Sequence, residues 1–286
     1  MTKDFVVRFL LEDLDIRGAF VRLSDAWRAM QAGRGYAPAV RDLLGEMTAV
    51  TVLIGGNLKQ PGRIGFQLKG SGPVRLLVID CTEQLRIRGM AHTDDEISAT
   101  DAPTLLGHGH LSLLLQHDAV REPYQSIVPL VGQTVAQIFE HYLAQSEQQP
   151  ARFWLAADGD SAVGLFLQKL PEADAKDADG WTRIEHLAAT VSADEMHTLP
   201  VEALFTRLFT EEKLRLYTSR SVTYDCPEDR DKVVGMLRSL GREEVALAIA
   251  EQGVLVVKDD ICNHEYHFDS GDLDELFPPE APSTLH

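Results

Sequence analysis

Residues 5–11, Phe-Val-Val-Arg-Phe-Leu-Leu, form an apolar run of strand length, and residues 16–23 follow with period-two alternation. Both patterns predict β-strands. Ser24 stands where a helix beginning at Asp25 would take its cap. The apolar stretch 40–53 predicts a longer helix that stops at Gly55-Gly56. Residues 64–68 and 74–79 predict two strands joined by Lys69-Gly70-Ser71-Gly72-Pro73, a hairpin-type connection. Further strands are predicted at 85–89, 109–115, 125–130, 153–156 and 162–170. Thr134 caps a helix through Gln145 that carries Val135, Ile138, Phe139 and Tyr142 on one face. Strands at this spacing predict an α+β fold, with residues 1–172 forming a largely antiparallel sheet domain with packed helices.

The pattern then changes. Residues 171–180 mix acidic residues with alanines between a proline and a glycine, which marks a boundary or linker. Residues 181–217 read as all helical, so 173–221 is expected to be a helical linker. After Pro200 at N1, Val201, Leu204, Phe205, Leu208 and Phe209 fall at i, i+3, i+4, i+7 and i+8, an apolar stripe. Such a stripe either packs on the main domain or is uncovered to grip another protein. Residues 222–278 predict a small α/β module. A helix with Val233, Val234 and Leu237 is followed by a second through Val245 and Ile249, ended by Gly253. A strand at 254–257, a turn, Tyr266-His267-Phe268 and a short helix capped by Ser270 complete it. A module this small often needs a metal or a crosslink. Residues 279–286 are expected to be a disordered tail.

Of the 286 residues, 44% are hydrophobic and 25% charged, as in folded soluble proteins. The net charge of −17 argues against nucleic acid and against anionic membranes as partners. It suits a protein that stays in solution while exposing apolar surface. No run reaches the length of a membrane span, and Met1-Thr2-Lys3-Asp4-Phe5 lacks a secretory pattern. With three cysteines, these features predict a cytoplasmic protein with reduced thiols.

Cys81 lies in a predicted strand, where it reads as a small apolar core residue. Cys226 and Cys262 lie in polar turns, Tyr224-Asp225-Cys226-Pro227 and Asp259-Asp260-Ile261-Cys262-Asn263-His264. Each looks like half of a metal-binding pair, because a four-thiolate zinc site takes its ligands as two closely spaced pairs. Here Tyr224 and Asp259 occupy the partner positions. His108 and His110 form a lone His-x-His in a glycine-rich turn, more in keeping with a solvated turn than with a metal site. Gly33-Arg34-Gly35 lacks the strand-turn-helix setting of a phosphate loop. No Ser-His-Asp or paired-carboxylate arrangement is identifiable in the sequence.

Several segments in order carry a resemblance. They are Lys69-Gly70-Ser71-Gly72-Pro73, residues 124–130 (Tyr-Gln-Ser-Ile-Val-Pro-Leu), residues 142–150 (Tyr-Leu-Ala-Gln-Ser-Glu-Gln-Gln-Pro) and Leu199-Pro200 before the striped helix. Cys226 with Arg230, and Cys262-Asn263-His264 before Tyr266 and Phe268, complete the set. Together they resemble the 33-kDa heat-shock chaperone family, cytoplasmic redox-regulated holdases, over nearly the whole length. The resemblance implies an α/β chaperone domain, a helical linker and a C-terminal zinc module. It implies a Cys-x-Cys and a Cys-x-x-Cys pair that bind zinc when reduced. On oxidation each pair forms a disulfide, the metal leaves, and client-binding surface is exposed without ATP.

This chain departs from that pattern at both pairs, so the within-pair disulfides cannot form. Three accounts follow. Zinc binds through Cys226 and Cys262 with Asp259, Asp225, His264 or His267, a harder and weaker site. Alternatively, the two thiols bridge each other. Otherwise both are relics and packing alone holds the module. Loss of two of four thiolates favours the metal-free accounts, so zinc is expected to be weak or absent. The expected function is that of an ATP-independent holdase for unfolding client proteins, with altered or lost redox switching. Clients are expected on the stripe Val201, Leu204, Phe205, Leu208 and Phe209, together with Trp181 and Leu187. Homodimerisation is a further expectation. The rival readings are a thiol-based stress sensor with a specific protein partner and, behind it, a metal-dependent enzyme using His108 and His110 or the C-terminal cluster.

Overall fold

The computed structural model describes residues 3–57, 62–94, 97–117, 124–146 and 148–278, which divide into two compact units between Asp225 and Cys226. The tail 279–286 lies outside the described residues. The first unit begins with β1 (Phe5–Leu11), β2 (Ile16–Leu23), α1 (Asp25–Gln31), α2 (Pro38–Gly55), β3 (Gly62–Gly70), β4 (Val74–Thr82) and β5 (Arg86–Thr93). Next come α3 (Ala102–Leu106), β6 (Gly109–His117), β7 (Tyr124–Pro129), α4 (Val135–Ser146), β8 (Ala151–Ala157) and β9 (Ala162–Lys169). It closes with α5 (Ala173–Lys176), α6 (Gly180–Ala188), α7 (Ala193–Thr198), α8 (Val201–Leu208), β10 (Leu214–Leu216), β11 (Arg220–Ser221) and β12 (Thr223–Tyr224).

The fold is α+β and its pairing is antiparallel except where β12 joins β5 in parallel. The strands divide into two sheets. One has the order β10-β1-β2-β9-β8, with β11 also on β1; the other has the order β12-β5-β4-β3-β6-β7. The helix α2 packs against strands of both sheets, and this explains its composition. Val40, Leu43, Leu44, Met47, Val50, Val52 and Leu53 are all buried, so the helix is apolar well beyond one stripe. Its buried Thr48 and Thr51 hydroxyls donate to Leu44 O and Met47 O, each at 2.7 Å, which satisfies them without a partner outside the helix. Cys81 joins this core, and burial pushes its thiol up to about 12, so it behaves as the apolar residue expected.

A second core lies on the opposite face of the first sheet. Phe5, Val7, Phe9 and Leu11 of β1, Ile16 and Phe20 of β2, and Leu165 and Leu167 of β9 form its floor. Gly18 of β2 pairs with Phe9, and the Phe9 ring occupies the space a Cβ there would fill. Residues 171–180 lie within the first unit; Ala173 is buried and Lys176 Nζ donates to Asp15 Oδ1 at 2.8 Å.

Four local expectations are corrected. Ser24 makes no side-chain cap; instead Asp4 Oδ1 accepts from Ser24 N at 2.6 Å and from Ala26 N at 3.0 Å, so a distant carboxylate does the capping. Pro200 is the N-cap of α8 rather than its first helical residue. Residues 181–217 are not helical throughout, because 214–216 pair with the edge of β1. The last helix of the second unit has Asp272, not Ser270, at its N-cap position, and no side chain caps it there.

That second unit contains α9 (Arg230–Leu240), α10 (Arg242–Gln252), β13 (Leu255–Asp259), β14 (His264–Phe268) and α11 (Leu273–Leu276). Its core is Val233, Leu237, Val245, Ile249, Tyr266, Phe268 and Leu276. Tyr266 Oη accepts from Asp229 N at 2.8 Å, and the Arg230 guanidinium sits 4.5 Å from the centre of the Phe268 ring.

Candidate functional site: a bridged module and a covered apolar face

β13 and β14 form an antiparallel pair in which Asp259 faces His264. The turn between them is built by Asp259. Its Oδ1 accepts from Ile261 N at 2.9 Å and Cys262 N at 3.3 Å, while its carbonyl accepts from Asn263 N at 2.6 Å. Asn263 takes a left-handed conformation, φ 58°, that asparagine tolerates better than most residues. The turn presents Cys262 toward Cys226, and the two form a disulfide across 36 positions with Cα atoms 5.4 Å apart. The expected pair of reduced thiols is therefore corrected: α9, α10 and β13 bring the chain back so that the two cysteines coincide. His264 Nε2 lies 2.7 Å from Cys226 O, a hydrogen bond that ties the same two segments a second time.

These residues do not fit a tetrahedral zinc. The two sulfurs are bonded to each other, and the Asp259 carboxylate faces backbone N–H groups. Asp225 is ion-paired with Arg86 at 2.8 Å in the first unit, and His267 is exposed on β14. Tyr224 belongs to β12 and packs against the core of the first unit. His110 lies in β6 and His108 just before it, and the His108 backbone N–H donates to Ser71 Oγ at 3.0 Å. Among the described residues, no three His, Cys, Asp or Glu side chains are placed to share a metal.

The stripe is covered by the first unit itself. Val201, Leu204, Phe205, Leu208 and Phe209 are all buried, packed on the floor formed by β1, β2 and β9. Phe9 is central: its ring lies 4.5 Å from Phe205 and 5.9 Å from Phe209, centre to centre. Trp181 packs at the margin of the same core, while Leu187 is 36% exposed. Ion pairs at its margin, such as Arg183 with Asp177 and Glu212 at 2.9 and 3.0 Å, rest on an arginine that is open to water and salt and add little to the hold. Apolar burial therefore holds the cover down.

Two polar ties escaped the sequence. Arg22 donates to Met196 O at 3.1 and 2.6 Å and to Leu199 O at 2.7 Å, closing the carbonyl end of α7. Half-buried, its guanidinium is held below the usual arginine range by desolvation. Ser161 Oγ and His197 Nδ1 lie 2.6 Å apart, tethering α7 to the turn before β9. No local signal could reveal either tie, because each joins residues 36 or more positions apart.

The Hsp33 protein family matches residues 4–269 of this chain. The chain belongs to the Hsp33 family. A 33 kDa chaperonin of Methylobacillus flagellatus is 39% identical over 279 residues, covering 97% of this chain and 95% of its own. The 33 kDa chaperonin of Nitrosococcus oceani is 38% identical over 283 residues, covering 99% and 97%. The crystal structure of the Hsp33 homologue of Thermotoga maritima has a TM-score of 0.83 at 22% identity, covering 96% of this chain and 98% of that one. At that identity the likeness is one of fold. Membership of the Hsp33 family supports a chaperone function. Among the described residues, no helix is long and apolar enough to cross a membrane.

Proposed function

We propose that this Hsp33 family member is an ATP-independent holdase that binds unfolding proteins on apolar surface now buried beneath α6–α8. The observation that carries this reading is the second core. A segment of short helices, held mainly by apolar contact, covers an apolar sheet face rich in phenylalanine. Lifting such a segment would bare two client surfaces at once: the sheet face, and the stripe of Val201, Leu204, Phe205, Leu208 and Phe209 with Trp181 and Leu187 beside it. Burial of each large apolar side chain is worth about 1.5–3 kcal/mol, so the open state is costly unless a client replaces the lost contacts.

The switch in this reading differs from the one the family resemblance implies. The module is held by the Cys226–Cys262 bridge and its own core, with zinc absent or weakly held. Activity is then constitutive or set by temperature, through loosening of the cover. The test is light scattering from a thermally unfolding client, without nucleotide. The reading requires that the protein suppress aggregation and that zinc per chain fall well below one after dialysis against a chelator. No suppression at any temperature up to unfolding would overturn the holdase; one tightly held zinc would overturn the account of the module.

A further inference from the structure

The edge of β1 is occupied by a segment that fits it poorly. On its inner side, β1 pairs with β2 without interruption from Phe5 to Leu11. On its outer side the partner is broken. β10 pairs Leu214, Arg215 and Leu216 with Leu11, Leu10 and Phe9, and β11 pairs Arg220 and Ser221 with Val6 and Phe5. Between them the chain bulges away, and among the described residues the outer register lapses at Val7 and Arg8. There Tyr217 N donates to Arg8 O at 2.9 Å. Over the gap lies a groove of about 300 Å³ lined by Phe5, Val7, Val201, Leu216 and Tyr217.

Beyond the strand pairing, Leu214 packs at the margin of the second core, the Arg8 guanidinium lies 5.7 Å from the Tyr217 ring centre, and Arg220 donates to Glu83 O. Leu216 and Tyr217 are 37% and 40% exposed, and residues 218–221 are exposed throughout. Its clearest anchor is charge: Glu12 pairs with Lys213 at 2.9 Å and with Arg215, while its backbone N–H donates to Lys213 O at 3.0 Å. The segment Lys213-Leu214-Arg215-Leu216-Tyr217 thus alternates basic and apolar residues along an edge whose acid recognises the basic ones.

We propose that the outer edge of β1 is a strand-addition site for an extended client segment alternating apolar and basic residues, and that residues 213–221 are its built-in occupant. This rests on the holdase reading and names how a client is held. A continuous client strand would take up the Arg8 N–H that the resident segment leaves, while Val7, which alternates with Arg8, turns its backbone groups to β2. Backbone hydrogen bonds would give sequence tolerance, as a chaperone needs, and Glu12 with the net charge of −17 would bias the choice toward basic segments. A strand residue presents its N–H and C=O to the same side, so Arg8, whose carbonyl already faces the outer edge, has its N–H there to be taken up.

The probe is a fluorescent peptide with the sequence of residues 213–221, and a second peptide with its basic residues changed to glutamate. Binding is read by anisotropy on the full chain and on Leu214→Gly/Leu216→Gly, which weakens the resident segment. The basic peptide should bind that variant at least tenfold more tightly than the parent, and amide exchange at Arg8 should slow on binding. Adding Glu12→Lys should abolish this binding and admit the acidic peptide. Equal affinity for parent and variant, or binding indifferent to Glu12→Lys with Arg8 exchange unchanged, would overturn the proposal. Should the glycine variant fail to fold, Glu12→Lys alone on the parent, read with both peptides above the temperature at which aggregation suppression begins, decides it by the same preference. Aggregation suppression is measured in parallel: its persistence with failed edge binding sinks only this proposal, while its absence sinks the holdase reading.

Discussion

Asp259 is a turn builder. Its carboxylate accepts two backbone N–H groups, and the turn it shapes brings Cys262 to Cys226. A bridge across 36 positions restrains the unfolded chain by about 4 kcal/mol on the chain-entropy picture. Cys262→Ser should therefore destabilise the second unit by roughly 3–4 kcal/mol and leave the first unit's transition in place, as two-wavelength denaturation would show. An unchanged second-unit midpoint would mean that packing alone holds the module. In the first unit, Glu46 of α2 is pushed up to about 7, chiefly by desolvation and then by Asp42. Its folded value lies above its unfolded one, so ionisation works against folding. The first unit should lose stability as pH rises from about 4.5 to 7 and level off above that. Glu46→Gln should remove that slope and raise stability at pH 8 by about 2–3 kcal/mol, read from urea midpoints at several pH values.

The elements over the second core show what the sequence makes legible and what it hides. The stripe on α8 announced a buried face by its spacing, and the strands of both sheets announced themselves by alternation and by Gly and Pro punctuation. β10, β11 and β12 did not, because two or three residues carry no period; they exist only where β1 and β5 offer an edge. Arg22 was silent for a related reason: it matters only because β2 passes beneath the end of α7. The bridge between Cys226 and Cys262 was one of three accounts in the sequence, since spacing alone does not reveal which segments coincide.

Arg22→Gln should remove a charged tie worth about 1.5–3 kcal/mol, together with the guanidinium's place over the Phe20 ring, while leaving the stripe's own apolar side chains in place. The temperature at which client aggregation begins to be suppressed should fall in this variant. Leu204→Ser with Leu208→Ser loosens the same segment, at about 2–5 kcal/mol for each buried leucine, but also removes part of the proposed grip. Its onset should fall as well, yet its capacity per chain at temperatures above the onset should be lower than that of Arg22→Gln. Equal capacity in the two variants would move the client surface away from the stripe.

At the scale of the whole molecule, an Hsp33 family chain matches its relatives over nearly its full length and shares the fold of the Thermotoga maritima homologue. A net charge of −17 keeps such a chain dispersed when apolar surface is bared. With Cys226 joined to Cys262 of the hairpin turn and no vicinal thiol pair left, peroxide has no bond to form inside the module beyond that single bridge. The central claim is therefore a holdase whose activity does not await an oxidant. It is tested most directly by light scattering from an unfolding client at one fixed temperature, without nucleotide, comparing protein held in a phosphine reductant with protein treated with peroxide. The account predicts that the reduced protein suppresses aggregation at least as well as the peroxide-treated protein. A reduced protein that is inactive and strongly switched on by peroxide would contradict it.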